Sequence, residues 1–140
     1  KKMKNHKVKC SNFEIANDSA FTLIAGPCQL ENEAHAIKIS TELKKITSDL
    51  GINFIYKTSF DKANRTSLKG KRGMGLEKSL PIFDKIRKDI GIPILTDVHS
   101  AEQCSIVSSH VSIVCVVLSS IPYNFALNGI RQSVKWTFAE

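Results

Sequence analysis

The segment from Lys57 to Ser67 concentrates the residue types that bind anions. Its sequence, KTSFDKANRTS, holds three bases, four hydroxyls and one amide within eleven residues. Lysine supplies a compact cation, arginine a two-pronged donor, and hydroxyls and amides neutral donors, so the set suits phosphate or carboxylate oxygens. A solvated polar loop is the alternative that residue types alone leave open. The position after an apolar run favours binding, because functional side chains concentrate in loops held by a rigid scaffold.

Three other residues with useful chemistry also follow apolar runs. Cys28 is a metal ligand, a nucleophile or a small buried hydrophobe, and the residue types alone favour the buried hydrophobe. Asp97 and His99 supply a carboxylate and an imidazole. We assign these two side chains to opposite faces by strand alternation, so that only one of them enters a site directly. The other histidines are interpreted as surface residues without recognisable partners: His6, His35 and His110.

Four apolar runs that precede these residues predict strands, and the first of them predicts a fully buried one. The runs cover 21–25, 52–56, 92–96 and 111–118, and a short hairpin is expected over 7–16. A helix capped by Asn32 follows the first run and ends at Gly51. Its predicted buried stripe is Ala36, Ile39, Leu43, Ile46 and Leu50.

Two further helices are predicted between the later runs. An apolar pattern over 76–90 indicates the second, and Pro81 favours a start near Ser79, because proline fits the first turn of a helix. The pattern from Ser100 to Gln103 is typical of a capping box and opens a short third helix.

An internal repeat sets the expected fold. Residues 49–57, DLGINFIYK, match residues 89–97, DIGIPILTD, as a helix end, a glycine, an apolar strand and a charge. Repeated units of this kind predict a parallel sheet with helices outside, and they put Lys57 and Asp97 at the same edge of the sheet. At most four βα units are present, which suit a small doubly wound sheet, whereas a (β/α)8 barrel needs about twice the length.

Composition narrows the class of protein and its partners. The chain has 140 residues, 42% of them hydrophobic and 24% charged, which is ordinary globular composition. The net charge of +7 comes from a lysine-rich tail over 1–9 and from 57–72, and the remainder is slightly acidic. That distribution argues against nucleic-acid binding as the function, because nucleic-acid-binding proteins usually spread their positive charge along one face. Scattered cysteines and the lack of a secretion signal predict a reduced, cytoplasmic setting with no membrane partner.

These motifs together resemble the 3-deoxy-D-manno-octulosonate 8-phosphate (KDO8P) synthase family. The segments that carry the resemblance are FTLIAGPC over 21–28, FIYKTSFDKANRTS over 54–67, RGMGLE over 72–77 and LTDVH over 95–99. The match runs from about residue 8 to residue 113, and the segment KTSFDKANR is highly specific. The resemblance implies an α/β fold, a (β/α)8 TIM barrel, of which this chain covers an N-terminal hairpin and about four βα units.

The resemblance also implies a reaction and a set of site residues. The family condenses phosphoenolpyruvate with D-arabinose 5-phosphate and water, releases phosphate, and supplies lipopolysaccharide biosynthesis. Carried over, Lys57, Lys62, Asp97 and His99 are catalytic, with the two lysines on phosphoenolpyruvate. The implied substrate-binding residues are Ser59, Asn64, Arg65, Thr66 and Ser67. Cys28 marks the metal-dependent class and implies a divalent ion, with iron, zinc and manganese all open, and the full-length enzyme is expected to be a homo-oligomer, a homotetramer.

The chain departs from the family pattern in its last part. The other expected metal ligands and two phosphate-binding bases lie in a second half that this chain lacks, so both ends are interpreted as those of a fragment. We predict a basic tail and hairpin over 1–20, the first half of the barrel over 21–118, and a divergent segment over 119–140. A frameshift in the encoding DNA is the hypothesis for that segment. The alternative function is an inactive fragment that retains only a phosphate-binding loop.

Overall fold

The computed structural model describes residues 5–61 and 73–116. The strands are β1 Val8–Cys10, β2 Phe13–Ile15, β3 Thr22–Ala25, β4 Asn53–Lys57, β5 Ile94–Val98 and β6 Ile113–Val116. The helices are α1 Glu33–Asp49, α2 Leu76–Lys85 with a π-helical turn Ile86–Ile90 directly after it, and α3 Ala101–Val107. The segment predicted to be divergent, 119–140, lies outside the described residues.

β1 and β2 form the expected antiparallel hairpin, in which Val8 pairs with Ile15. The other four strands form one parallel sheet in the order β3-β4-β5-β6. A doubly wound sheet reverses its strand order at a switch point, and the strands that the structure describes show no such reversal, so they do not fit the doubly wound alternative. With right-handed crossovers, sequential parallel strands place every helix on the same side of the sheet, as in a barrel wall.

The hydrophobic core lies between the sheet and that helical layer. The sheet contributes Phe54, Tyr56, Ile94 and Val98, all buried, and the helical layer contributes a buried patch formed by Ala36, Ile82, Phe83, Ile86, Cys104 and Val107. The registers place Leu23 level with Phe54 and Thr96 level with Val114, so that alternate residues of all four strands face the helices. One continuous core therefore holds the strands in place.

The other face of the sheet has less cover, and this contradicts the prediction that the first strand is fully buried. Ile24 is 50% exposed, although its register partner Ile55 is buried. β3 lies at an edge of the described sheet, and no described helix packs on this side of it. Lys57 lies two residues after Ile55 on β4, and Asp97 lies two residues after Leu95, the register partner of Lys57. Alternation therefore places both side chains on this open face.

The buried face of α1 differs from the predicted stripe at its C-terminal end. Asn32 caps the helix as expected, with the His35 N–H donating to its Oδ1 at 2.8 Å. Ser40 and Thr47 are buried instead of Ile46, which is 51% exposed. The Thr47 hydroxyl donates to the Leu43 carbonyl at 2.8 Å, so a helical carbonyl satisfies its polar group. Counting apolar residues alone could not find this face.

α2 begins at Leu76, not near Ser79 as predicted, and Pro81 lies inside it. The Ser79 hydroxyl donates to the Gly75 carbonyl at 2.6 Å and supports this earlier start. The helix then widens into the π-helical turn and ends where Gly91, at φ 71°, donates its N–H to the Ile86 carbonyl at 3.1 Å. Within the described ranges, no helix is long and apolar enough to cross a membrane.

Candidate functional site

The site is built at the carboxyl edge of the sheet, where β4 and β5 end. Lys57 is the last residue of β4 and pairs with Leu95, two residues before Asp97. The chain continues in extended form past β4, which brings Ser59 level with Asp97. Lys57, Ser59 and Asp97 thus share the open face, since residues two apart on a strand point the same way.

These three side chains are in direct contact. The Lys57 Nζ donates to the Ser59 Oγ at 2.9 Å and lies 3.5 Å from the Asp97 Oδ1. The Ser59 hydroxyl in turn donates to the same carboxylate oxygen. The ammonium group has three donors, of which Ser59 and Asp97 occupy two. Within the described residues no third partner of this ammonium group is found, and because the Lys57 side chain remains 34% exposed, an anionic ligand can reach it.

His99 joins this cluster, so the assignment of Asp97 and His99 to opposite faces is wrong. Its Nε2 lies 3.4 Å from the Asp97 Oδ2, a contact of ion-pair length without hydrogen-bond geometry. The two residues are two positions apart, and alternation therefore puts them on one face. The imidazole is only 15% exposed, and neither ring nitrogen has a hydrogen-bond partner among the described residues. Such an orphaned ring is expected where a ligand completes the site.

The first turn of α3 holds the backbone of His99. The Gln103 Oε1 accepts from the His99 N–H at 2.7 Å, and the Gln103 N–H donates to the Ser100 Oγ at 3.3 Å. The bond to Ser100 confirms one half of the predicted capping box, whereas the Gln103 side chain binds the His99 N–H in place of the Ser100 N–H that a complete box requires. The role of Gln103 towards His99 was not predicted, although the capping motif was the signal for it.

The back of the site is a packed wall on the helix side. Tyr56 is fully buried there, and burial raises the pKa of its hydroxyl to about 12. The Thr58 hydroxyl lies near it without hydrogen-bond geometry and acts in the opposite direction on that pKa. The buried Thr96 hydroxyl donates to the Thr58 carbonyl at 2.8 Å, which fastens β5 to the end of β4. This wall fixes the backbone that carries Lys57 and Ser59.

Cys28 lies on the loop between β3 and α1, and its exposure contradicts the interpretation as a buried hydrophobe. Within 5–61 and 73–116 there is no group of three His, Cys, Asp or Glu side chains that could hold a metal ion. The described residues therefore do not fit a complete metal site, and Cys28 as a metal ligand stays a prediction. Burial raises the pKa of the Cys10 and Cys104 thiols, which makes them poor ligands.

The other predicted site residues lie outside the described residues: Lys62, Asn64, Arg65, Thr66 and Ser67. The two ends of the segment that contains them do meet. The Gly75 N–H donates to the Phe60 carbonyl at 3.1 Å, and a Cβ at Gly73 would lie 2.6 Å from the same oxygen. The chain therefore returns to within hydrogen-bond distance of Phe60, beside Ser59.

One histidine outside the site was assigned wrongly. His110 was expected to lack a partner, yet its Nδ1 lies 2.8 Å from the Asp84 Oδ2. Nearby, the Arg87 guanidinium donates to the Ser109 carbonyl at 2.9 Å. Both contacts join α2 and its π-helical turn to the segment before β6, so they are structural and belong to the helical layer.

Comparison with known proteins now identifies relatives. The family model of the DAHP synthetase I family matches residues 3–117. A protein named 2-dehydro-3-deoxyphosphooctonate aldolase from Mesorhizobium japonicum is 50% identical over 109 residues, 78% of this chain and 39% of the relative. Proteins of the same name from Chelativorans sp. and Bartonella tribocorum are 51% and 52% identical over the same length. The chain thus spans about two fifths of the length of these relatives.

Proposed function

The chain belongs to the DAHP synthetase I family, and on this premise we propose that it is part of a KDO8P synthase. The enzyme condenses phosphoenolpyruvate with D-arabinose 5-phosphate and water, and it releases 3-deoxy-D-manno-octulosonate 8-phosphate and inorganic phosphate. The shared name of the relatives, which are about 50% identical, supports this substrate pair. The product serves lipopolysaccharide biosynthesis, and we propose the cytoplasm as its location.

The observation that carries the proposal is the cluster of Lys57, Ser59, Asp97 and His99 at one strand edge. Lys57 presents a partly exposed ammonium group to a phosphate or carboxylate oxygen, and Asp97 and Ser59 hold that group in place. A cation fixed before the ligand arrives loses little entropy on binding. We propose that Lys57 binds phosphoenolpyruvate together with Lys62, and that Asp97 and His99 line the catalytic site.

We further propose that the open face of the sheet is the inner wall of a complete (β/α)8 barrel. Parallel sheets are normally covered on both faces, and Ile24 is half exposed. The sequential strand order supports the proposal, because four such units are half of a closed barrel. The remaining units would come from the part of the relatives that this chain does not span.

Cys28 as a ligand of a divalent ion is a separate part of the proposal. Its other ligands have to come from outside the described residues, so no step of the reaction is assigned to the ion. The test is cobalt titration of a chimera in which residues 8–113 replace the matching segment of the Mesorhizobium japonicum relative, which should produce a thiolate-to-cobalt absorption band. In that chimera Cys28→Ser should abolish the band, whereas Cys10→Ser, at a buried thiol of the hairpin, should leave it unchanged. The opposite pattern would contradict the assignment.

The second candidate function is an inactive fragment that binds anions without turnover. The short coverage of the relatives favours it for the chain on its own. We expect the 140-residue chain to release no phosphate from phosphoenolpyruvate and arabinose 5-phosphate with a divalent ion. Measurable turnover by this chain alone would refute the inactive-fragment candidate and establish the enzyme directly.

A chimera tests the activity that the segment supports. Residues 8–113 replace the matching segment of the Mesorhizobium japonicum relative, and phosphate release is measured with and without arabinose 5-phosphate. We expect release only when that sugar phosphate is present, and strong loss in the Lys57→Met chimera. A folded chimera that instead requires a shorter sugar phosphate would overturn the proposed substrate.

A further inference from the structure

An extra residue lies between β3 and α1, beside the end of β4. The regular pairing of β3 with β4 ends at Ala25 and Tyr56, and pairing resumes at Gln29 and Ser59. The first chain advances by four residues between these two points, and the second by three. The Leu30 N–H, which donates to the Ser59 carbonyl at 2.8 Å, anchors the second point. Residues 26–28 therefore form a bulge, a feature that often re-aims a side chain next to a site.

The first residue of this bulge can only be glycine. A Cβ at Gly26 would lie 2.1 Å from the Lys57 carbonyl oxygen and 3.0 Å from its carbonyl carbon. Both obstacles are backbone atoms, which cannot rotate away as a side chain can. Because glycine permits this close approach, the chain can cross the end of β4 and then resume pairing with its register shifted by one residue.

The extra residue reverses which side chains face the site. In an unbroken strand Ile24 and Leu30 would share a face, because they are an even number of residues apart. Instead Ile24 lies on the open face, half exposed, and Leu30 is fully buried in the core with Phe60. Gln29 is the register partner of Ser59 and lies on the same face as it. The bulge therefore turns the Gln29 amide towards the face that carries Lys57 and Asp97.

We propose that Gln29 is a further substrate-binding residue of this site, an inference that rests on the proposed function. Its half-buried amide offers two N–H donors and one acceptor beside a lysine and a serine. Donors of this kind suit a carboxylate or hydroxyl oxygen next to the anionic group that Lys57 neutralises. Gln29 thus adds neutral hydrogen bonding at a place where the neighbouring groups are largely charged.

The test is titration of phosphoenolpyruvate into the 140-residue chain, measured by isothermal calorimetry. Gln29→Leu keeps the size of the side chain without its hydrogen bonds and should weaken binding about tenfold. Gln29→Glu should weaken it more, because a carboxylate would face the bound anion. Asn17→Asp is the matched control, since it adds the same charge in the turn before β3, at the opposite edge of the sheet, and should leave affinity unchanged.

The outcomes separate this inference from the proposed function. If Lys57→Met weakens binding while both Gln29 variants bind like the unaltered chain, the role of Gln29 is overturned and the proposed function stands. If the unaltered chain does not bind phosphoenolpyruvate, the same titrations are made on the folded chimera of residues 8–113; if that chimera does not bind it either, the proposed function fails and takes the role of Gln29 with it. The bulge itself is then tested by nuclear Overhauser contacts, expected between the Gln29 side-chain amide and Ser59. Contacts to Phe60 instead would overturn the placement.

Discussion

The two faces of the parallel sheet obey different rules. The helix side carries apolar side chains that are almost fully buried, together with the buried Thr96 hydroxyl, which donates to a backbone carbonyl. The open side carries a half-exposed Ile24 and a cluster of charged and polar groups at its carboxyl edge. Stability is concentrated on the first face and chemistry on the second. Because each strand supplies both faces by alternation, a register shift of one residue would disturb the core and the site together.

The largest expected effect comes from breaking the helix side. Phe83→Ala removes a fully buried ring from the core and should lower the free energy of unfolding by about 3–5 kcal/mol. The control is Ile24→Ala on the open face, which should cost less than about 1 kcal/mol, since half of that side chain is already in water. Chemical denaturation of both variants measures the contrast. Equal losses would show that the two faces are equally buried in solution.

The next effect tests whether the open face binds without supporting the fold. Lys57→Met should weaken phosphoenolpyruvate binding by about a hundredfold, because it removes the cation that faces the ligand. The midpoint of thermal unfolding should change little, since the ammonium group contacts only Ser59 and Asp97 within the described ranges. Calorimetry and a melting curve on the same sample check both parts. A large drop in stability with unchanged affinity would reverse the roles of the two faces.

Alkaline pH should weaken the helix side selectively. The pKa of Tyr56 is raised from 10.0 to about 12 in the fold, so above pH 10 the unfolded chain loses this proton first. Unfolding then becomes more favourable as pH rises towards 12, by up to about 2 kcal/mol. The comparison is with Tyr56→Phe, which lacks the titrating hydroxyl and should show a smaller decline over that range. Identical pH profiles would mean that the ring is solvated.

The smallest effect is expected at the outer surface of the helical layer. Lys85 contacts Glu33 at 2.5 Å, and the hydrogen bond to this carboxylate raises the pKa of the lysine above 10.5. The stabilising contact is therefore fully present below pH 10.5 and is lost as pH rises through the raised pKa. Lys85→Met should change the melting temperature only slightly at neutral pH, because exposed ion pairs contribute little. A large change would indicate that this pair organises α1 and α2.

Several elements were predictable because their signals are local. The Asn32 and Ser100 caps and the Gly51 and Gly91 helix ends follow from residue types that satisfy or release backbone groups at helix ends. The start of α2 was not predictable in the same way. Pro81 would favour a later start, and packing of Ile82 and Phe83 in the core overrides that preference. The exposure of Ile46 has the same origin, since tertiary contacts select the buried face of α1.

The site residues also divide into those that have a local sequence signal and those that only tertiary contacts place. The position of Lys57 and Asp97 at one edge of the sheet was predicted from the sequence, because charged residues after apolar strands carry their own signal, and the site role of the loop after Lys57 stays a prediction. The two-residue spacing of Asp97 and His99 puts their side chains on one face, but the sequence prediction assigned them to opposite faces. The structure shows the two side chains together. Gln29 could not be found at all from the sequence. Its placement depends on a register shift of the segment after β3 against β4, which no residue type in that segment indicates.

The sequence by itself determined the parallel repeats, the helix caps and the family resemblance, and it predicts an anion-binding segment after β4. These depend on local periodicity and on side-chain chemistry, both of which follow directly from the sequence. Only the tertiary structure decided the strand order, which face of the sheet the helices cover, and which polar groups touch at its edge. Those outcomes are set by packing and register between segments distant in the chain, where a shift of one residue moves a side chain to the opposite face.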